Sequence, residues 1–343
     1  MSQEYKIVIE ETGDSFAAEV DEQVLDAAMR QGILLPHGCR GGFCGSCLGE
    51  VVKGEVEYPD GLPDALSEED RARGKALFCK AIATSDLVIK VPEYRSESVE
   101  LKNLPARIER LELLNHDVML MELKIPEHET LSYRAGQYID IVLKDGRRRS
   151  FSIANAPGEG NLIQLHIRRV PGGFFTGQVF EKLQPKDILR IEGPLGSFYF
   201  RDDSPRQAIL VAGGTGFAPI KAIVEQLMAT GSTRPVHFFW GVRAEEDLYM
   251  RGLVEGWDRK HPGFHFTPVL SEPDSATHWE GETGFVHEAV AKVFPALISY
   301  DVYLCGPPPM IKAAKARFAE QGLPDTQMFY DSFDFSNDNL PKS

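Results

Sequence analysis

Cys39, Cys44, Cys47 and Cys79 stand at C-x4-C-x2-C followed by a long gap, the ligand spacing of a plant-type [2Fe–2S] cluster. The first three lie in Leu35-Pro36-His37-Gly38-Cys39-Arg40-Gly41-Gly42-Phe43-Cys44-Gly45-Ser46-Cys47. The glycines of this stretch let the backbone curl tightly enough to aim several amide N–H groups at sulfur, as a buried anionic cluster requires. Zinc is the rival metal, but zinc sites usually present paired C-x2-C arms, and only Cys44 and Cys47 make one. A disulfide framework is a third reading. A lone cysteine reads as a small buried hydrophobe; four at this spacing do not. His37 adjoins the ligands, but with the set already full it reads as a loop or surface residue. Cys305 belongs to a different motif.

Two stretches further on face phosphate. In Arg149-Ser150-Phe151-Ser152-Ile153-Ala154-Asn155 a guanidinium, an aromatic face and a hydroxyl alternate along one strand. By itself this is equally an exposed basic hairpin, with Arg147 and Arg148 adding charge. Gly172-Gly173-Phe174-Phe175-Thr176 reads as a turn into a helix whose free N–H groups can receive a pyrophosphate. Together the two favour a dinucleotide such as FAD. Val211-Ala212-Gly213-Gly214-Thr215-Gly216-Phe217-Ala218-Pro219 then joins a strand to a helix, where α/β sheets bind nucleotides. It departs from G-x-G-x-x-G because Pro219 replaces the third glycine, and the next strand ends in Gly241-Val242-Arg243 rather than at an acid. A plain tight turn is the alternative. Tyr303-Leu304-Cys305-Gly306-Pro307-Pro308-Pro309-Met310 places a thiol and a stiff proline turn after another strand, although a core cysteine explains Cys305 as well.

The elements that must position these residues fall into three groups. Two short strands, a helix over Val24–Met29 stopped by Gly32, and strands flanking the cysteine loop read as a small mixed domain over residues 1–96. Pro92–Ser98 is suited to a linker. Apolar runs at Val118–Leu123, Tyr138–Leu143 and Leu162–Ile167, separated by Gly and Pro turns, predict an antiparallel β domain over 103–203. From 204 to 335 strands and helices alternate, which predicts a doubly wound parallel sheet.

The 343 residues carry a net charge of −14, and residues 1–100 hold 20 acids against 10 basic residues. Nucleic-acid binding is not expected, since no basic stripe is present to meet phosphate. An acidic surface can steer a basic face of a partner, or merely keep the protein in solution. No apolar run approaches a membrane span and Met1–Lys6 lacks the start of a signal peptide, so a cytoplasmic protein is expected. Thiolate ligands also suit a reducing compartment.

These motifs in this order resemble the ferredoxin–NADP reductase superfamily, in the class with an N-terminal plant-type ferredoxin domain. That class includes oxygenase reductase components and the CDP-6-deoxy-glucoseen reductases. The likeness runs over nearly the whole chain, through the four cysteines, the Arg149 stretch, Gly173 to Thr176, Gly213 to Pro219 and Cys305 to Met310. It implies a multidomain α+β and α/β chain: a β-grasp ferredoxin domain, an antiparallel β-barrel flavin domain and a parallel-sheet nicotinamide domain. It further implies that Arg149 contacts the FAD phosphates, Phe151 lies against the flavin, Ser152 bonds near flavin N5, and Gly173 with Thr176 caps the pyrophosphate. Gly214, Thr215 and Gly216 would hold the NAD(P)H phosphates. Cys305, followed by Gly306 and Pro307, would lie near the nicotinamide, so Ser152 and Cys305 are the expected catalytic pair. Phe151 stands where the family more often has tyrosine. Tyr330 and Phe333 both fit the place of an aromatic covering the flavin, and Phe333 is counted with the cofactor-binding residues.

The resemblance implies a reductase that passes electrons from NADH through FAD and the cluster, one at a time, to a separate oxygenase or dehydrase component. NADPH is the alternative donor, because Arg243 can meet a 2′-phosphate. Two other functions remain at this point: a stand-alone NADH:acceptor reductase acting on quinone, ferric chelate or free flavin, and a redox-sensing module. No terminal active site of His and carboxylate ligands, and no nucleophile triad, is legible in the chain.

Overall fold

The computed structural model describes residues 3–92, 94, 100–158, 160–274 and 279–333. Of the expected linker only Pro92 and Tyr94 are among them, and the end of the expected 204–335 segment, residues 334 and 335, also lies outside the described residues. Contacts divide the chain into two units, the first reaching Leu101 and including Pro194–Ser197, the second made of Lys102–Gly193 and the chain from Phe198.

In the first unit, alternating burial along β1 (Glu4–Ile9) and β2 (Ser15–Glu19) gives a half-buried antiparallel hairpin. The helix α1 (Val24–Arg30) buries Val24, Leu25, Ala27, Ala28 and Met29. It ends at Gly32, whose left-handed φ of 76° lets Ile33 N–H reach the Ala28 carbonyl. There follow β3 (Leu48–Lys53), β4 (Val56–Glu57), α2 (Glu68–Ala72), β5 (Lys75–Leu77), β6 (Ile82–Ala83) and β7 (Leu87–Lys90). Strands β2-β1-β7-β3-β5 form one mixed sheet in which β1 and β7 run parallel, while β4 and β6 pair separately. A helix held by a mixed sheet of this order is the expected β-grasp.

The second unit begins with β8 (Lys102–Leu113), β9 (Val118–Lys124), β10 (Tyr138–Val142), β11 (Arg148–Ser152), β12 (Leu162–Arg168), α3 (Phe174–Glu181) and β13 (Ile188–Leu195). Their sheet order is β11-β10-β13-β8-β9-β12. A bridge between Ile153 and Leu165 joins the two edges and closes the barrel. Its core is β-branched and aliphatic, with Ile108, Leu123, Ile139, Ile163 and Leu165 packed against Phe175 and Val179 of α3.

The remainder alternates: β14 (Gln207–Gly213), α4 (Phe217–Ala229), β15 (Val236–Val242), α5 (Arg251–Lys260), β16 (Phe264–Leu270), β17 (Glu282–Thr283), α6 (Val286–Val293), β18 (Tyr300–Gly306), α7 (Pro308–Glu320) and β19 (Met328–Ser332). All pairs in the sheet β17-β16-β15-β14-β18-β19 are parallel. The central strands β14, β15 and β18 are buried on both faces. Leu210 and Ala212 meet α4 and α5, whereas Ile209 and Val211 meet α6 and α7. Strand order reverses at β14, which puts the crevice for a ligand at the carboxyl ends of β14 and β18. Among the described residues, no helix is long and apolar enough to cross a membrane.

Candidate functional site

The cysteine loop fills the space between α1 and β3 and depends on backbone that side chains resist. Arg40, Gly42 and Gly45 take φ values of 56°, 88° and 82°, all left-handed. This winding turns amides onto sulfur: Gly41 and Cys44 N–H donate to Cys39 Sγ and Ser46 N–H to Cys44 Sγ, each at 3.4 Å. Cys79 arrives from the end of β5, the neighbour of β3 at the sheet edge. Leu48 faces Leu77 across β3 and β5, and Phe78 N–H donates to the Cys47 carbonyl at 3.2 Å, so Cys79 comes to rest beside Cys47. A side chain at Gly49 would overlap the Phe78 ring that makes this approach.

The thiols therefore meet in two pairs. Cys39 is pulled down to about 6, first by a hydrogen bond from the Cys44 thiol and then by the amides of Cys44, Phe43 and Gly41. Its donor Cys44 is pushed up by the same bond and by burial. Cys47 and Cys79 repeat the arrangement, Cys47 raised and Cys79 lowered. All five cysteines are free, so no disulfide competes. Four gathered thiols and inward amides fit an anionic iron–sulfur cluster. His37 departs from its expected surface position: it is a loop residue, but only 2% exposed. Its Nδ1 lies 2.8 Å from the Leu35 carbonyl and its Nε2 accepts from Gly196 N–H at 3.1 Å, within the first unit. Burial lowers it to about 4, so it is neutral.

On the barrel, the pleat of β11 puts Arg149 and Phe151 on one face and Ser150 and Ser152 on the other. Phe151 rests partly against Phe175, ring centroids 5.6 Å apart, which fixes one side of its ring. Ser152 is buried. The turn before α3 uses Gly172 at φ 73°, and a Cβ on Gly173 would overlap Thr176 Oγ1, which itself accepts Val170 N–H at 3.2 Å. α3 opens with neither a side-chain cap nor an acid in its first turn, so its N–H groups are left to an anion. These residues fit a flavin dinucleotide.

The nucleotide turn is more than a tight corner. In the register of β14 and β18, Ala212 stands beside Cys305, and a Cβ on Gly216 would overlap the Cys305 carbonyl, coming within 2.6 Å of its carbon. A Cβ on Gly213 would likewise come within 3.0 Å of Pro307 and overlap Met310. The structure thus brings together Gly213–Gly216 and Cys305–Met310, two motifs far apart in sequence. Gly214 is left-handed at φ 54°, and the Trp240 indole N–H donates to its carbonyl at 2.9 Å. Thr215 sits half-buried between them. Phe217 stacks on Trp240 at 4.1 Å, anchoring the start of α4. Pro219 falls in the first turn of α4, where an amide has no helical partner, so it interrupts nothing. That end of α4 also lacks a side-chain cap and acids.

Cys305 is wholly buried, and burial raises its thiol well above the usual range. Phe333 N–H donates to the Gly306 carbonyl at 3.0 Å, which sets it beside Cys305 and Pro307. Tyr330 faces the other side of the sheet, under Lys315 Nζ at 4.0 Å. Arg243 is exposed, 3.7 Å from Asp247.

Three residues near these motifs carried no sequence signal. Gln164, His166 and Arg168 alternate along β12 on the face away from the barrel core. Gln164 accepts from Lys221 Nζ of α4 at 3.1 Å, His166 Nδ1 shares a 3.0 Å hydrogen bond with Tyr249, and Arg168 lies against Gly214. The period-two pattern was visible, but not what this face meets.

Three family models cover most of the chain. A 2Fe-2S iron-sulfur cluster binding domain matches residues 7–84, an oxidoreductase FAD-binding domain 105–200 and an oxidoreductase NAD-binding domain 210–316. The CDP-6-deoxy-L-threo-D-glycero-4-hexulose-3-dehydrase reductase of Yersinia pestis is 39% identical over 94% of this chain and 96% of its own. The reductase component of phenol 2-monooxygenase from a Pseudomonas species is 34% identical over 99% and 97%. Among solved structures, a cytochrome P450 reductase of Amycolatopsis superposes with a TM-score of 0.81 at 32% identity, covering 96% of this chain and 98% of that one. Fold, site and relatives define a three-domain NAD(P)H-dependent oxidoreductase with a [2Fe–2S] cluster, FAD and a nicotinamide nucleotide as cofactors. The chain belongs to the ferredoxin–NADP reductase superfamily, in the class that carries an N-terminal plant-type ferredoxin domain.

Proposed function

We propose that this chain is the electron-supplying component of a two-protein system, drawing on NADH and serving a separate oxygenase or dehydrase. When bound, the nicotinamide supplies a hydride, the flavin accepts the pair and releases electrons singly, and the cluster carries one at a time. The observation that carries the reading is the cluster loop, with its two thiol pairs and sulfur-directed amides, on the same chain as the glycine turn at β14 and β18. Domain limits are placed at 1–96, 103–203 and 204–335.

Cys39, Cys44, Cys47 and Cys79 hold the cluster. Arg149 and the N–H groups at Gly173 to Thr176 bind the flavin phosphates, Phe151 lies along the ring and Ser152 donates near N5. The amides of Gly214, Thr215 and Gly216 take the nicotinamide nucleotide phosphates, with Cys305, Gly306 and Pro307 shaping the floor beside the nicotinamide. Phe333 is preferred to Tyr330 as the flavin cover, because it alone of the two reaches Gly306. NADH is preferred to NADPH because Asp247 already faces Arg243, so a 2′-phosphate would meet a carboxylate there. Free thiols and the lack of a long apolar helix among the described residues support a place in the cytoplasm.

Anaerobic titration with NADH tests the reading. Uptake of about three electrons per chain, with flavin and iron–sulfur absorbance both bleaching, is expected. Uptake of about two, with iron loaded but no iron–sulfur band, would instead describe a simple flavin reductase. Turnover that is faster with NADPH would overturn the nucleotide preference.

A further inference from the structure

A second cluster of ligating side chains lies in the second unit, away from the cysteines. The turn between β8 and β9 presents His116 and Asp117, and the short helical turn Glu245–Asp247 after β15 presents Asp247. The two turns are tied by Asn115 Nδ2–H, which donates to the Glu246 carbonyl at 3.1 Å. His116 Nε2 and one oxygen from each aspartate all lie within 4.8 Å of one another.

The carboxylates are oriented in the same way. Asp117 Oδ2 accepts from Arg168 Nε at 2.7 Å, and Asp247 Oδ2 accepts from Ala244 N–H at 3.2 Å with Arg243 Nε at 3.7 Å. In each, the other oxygen, Oδ1, is buried with no hydrogen-bond partner. Asp247 is 8% exposed, and its Oδ1 points at His116 Nε2, 3.7 Å away. A buried carboxylate oxygen with no donor is costly, and native structures rarely keep one without a bound ion or water. Asp247 Oδ1 faces the imidazole directly, and Asp117 approaches the same nitrogen with Oδ2 at 3.8 Å, the oxygen that also takes Arg168. Each carboxylate is held by a donor at its Oδ2, the kind of support that orients ligands around a metal.

We propose that His116 Nε2, Asp247 Oδ1 and one carboxylate oxygen of Asp117 bind a divalent cation of the zinc class. One imidazole with two single carboxylate oxygens suits zinc and its neighbours, whereas calcium takes six to eight oxygens. Tetrahedral zinc sets its ligand atoms about 3.3 Å apart, so the site closes by a small rotation of His116. That side chain is 47% exposed, which gives the ion a way in from solvent. The ion would fasten the barrel turn to the loop that carries Arg243. The site does not rest on the electron-transfer reading, although it shares Asp247, which faces Arg243, with the argument for NADH over NADPH.

Equilibrium dialysis of the holoprotein against Zn2+ at neutral pH tests it, with iron and flavin content checked before and after. Wild type is expected to hold one zinc per chain more than His116→Ala or Asp247→Asn, each of which should bind at least about tenfold more weakly. Zinc taken up at the cysteine loop would be common to all three proteins and drop out of the difference. His116→Ala removes an exposed turn residue and keeps the fold, so it carries the test even if Asp247→Asn is unstable. Equal uptake by wild type and His116→Ala overturns the site. Displacement of the bound zinc by calcium at similar concentration overturns its assignment to the zinc class.

Discussion

The cysteine loop and the nucleotide turn both rely on glycine, but for different reasons. Around Cys39 to Cys47 glycine supplies left-handed backbone, and the groups that bind are side-chain sulfurs aided by amides. At Gly213 and Gly216 the backbone conformation is ordinary, and glycine is needed because Cys305, Pro307 and Met310 occupy the space of a side chain. A loop of the first kind takes its shape from its own backbone angles, although its fourth ligand, Cys79, comes from after β5. One of the second kind is completed by another segment of chain, so damage to it should spread differently.

Cys44→Ser should separate the two regions most sharply. One-electron reduction of a protein acceptor such as cytochrome c is expected to fall to background, while stopped-flow bleaching of the flavin by NADH stays near wild type. Loss of flavin reduction as well would show that the first unit does not stand alone. Gly216→Ala should do the reverse, weakening NADH binding and destabilising the second unit by about 1–3 kcal/mol, because backbone rather than a flexible side chain must give way. Thermal unfolding followed beside cluster absorbance reads this, with the cluster expected to persist.

Acid sharpens the contrast. His166 is held down to about 3, first by burial and then by Lys221, so the folded second unit keeps it neutral. Since its folded value lies below the unfolded one near 6.5, its contribution is complete above about pH 6.5 and is lost as pH falls toward about 3. The slope is about 1.4 kcal/mol per pH unit for one proton, and His166→Gln should remove that slope from denaturant melts in this window. Trp240→Phe should have the smallest effect, about 1 kcal/mol from the lost hydrogen bond to Gly214, with a modest rise in KM for NADH.

The difference between the two regions also explains what was legible in the sequence. Ligand spacing names the four cysteines because the loop closes locally, and period-two runs bounded by Gly and Pro disclose the barrel and the parallel sheet. The burial of His37 was not legible, since it is imposed by a segment some 160 positions away. Nor was the placing of Arg168 against Gly214, or the pairing of Asp117 with His116 and Asp247, each of which needs the two halves of the second unit already assembled. Tyr330 and Phe333 look equivalent as letters, and only strand parity separates them.

The contact between Gly216 and the Cys305 carbonyl has a consequence for the order in which the molecule becomes competent. During folding, the phosphate cradle cannot take its final shape when β14 and α4 form; it waits for β18, made almost ninety residues later, to dock alongside. Such long-range closure is slow compared with local structure. Affinity for the nicotinamide nucleotide should therefore be among the last properties a refolding chain acquires, well after the cysteine loop is able to take up iron and sulfide.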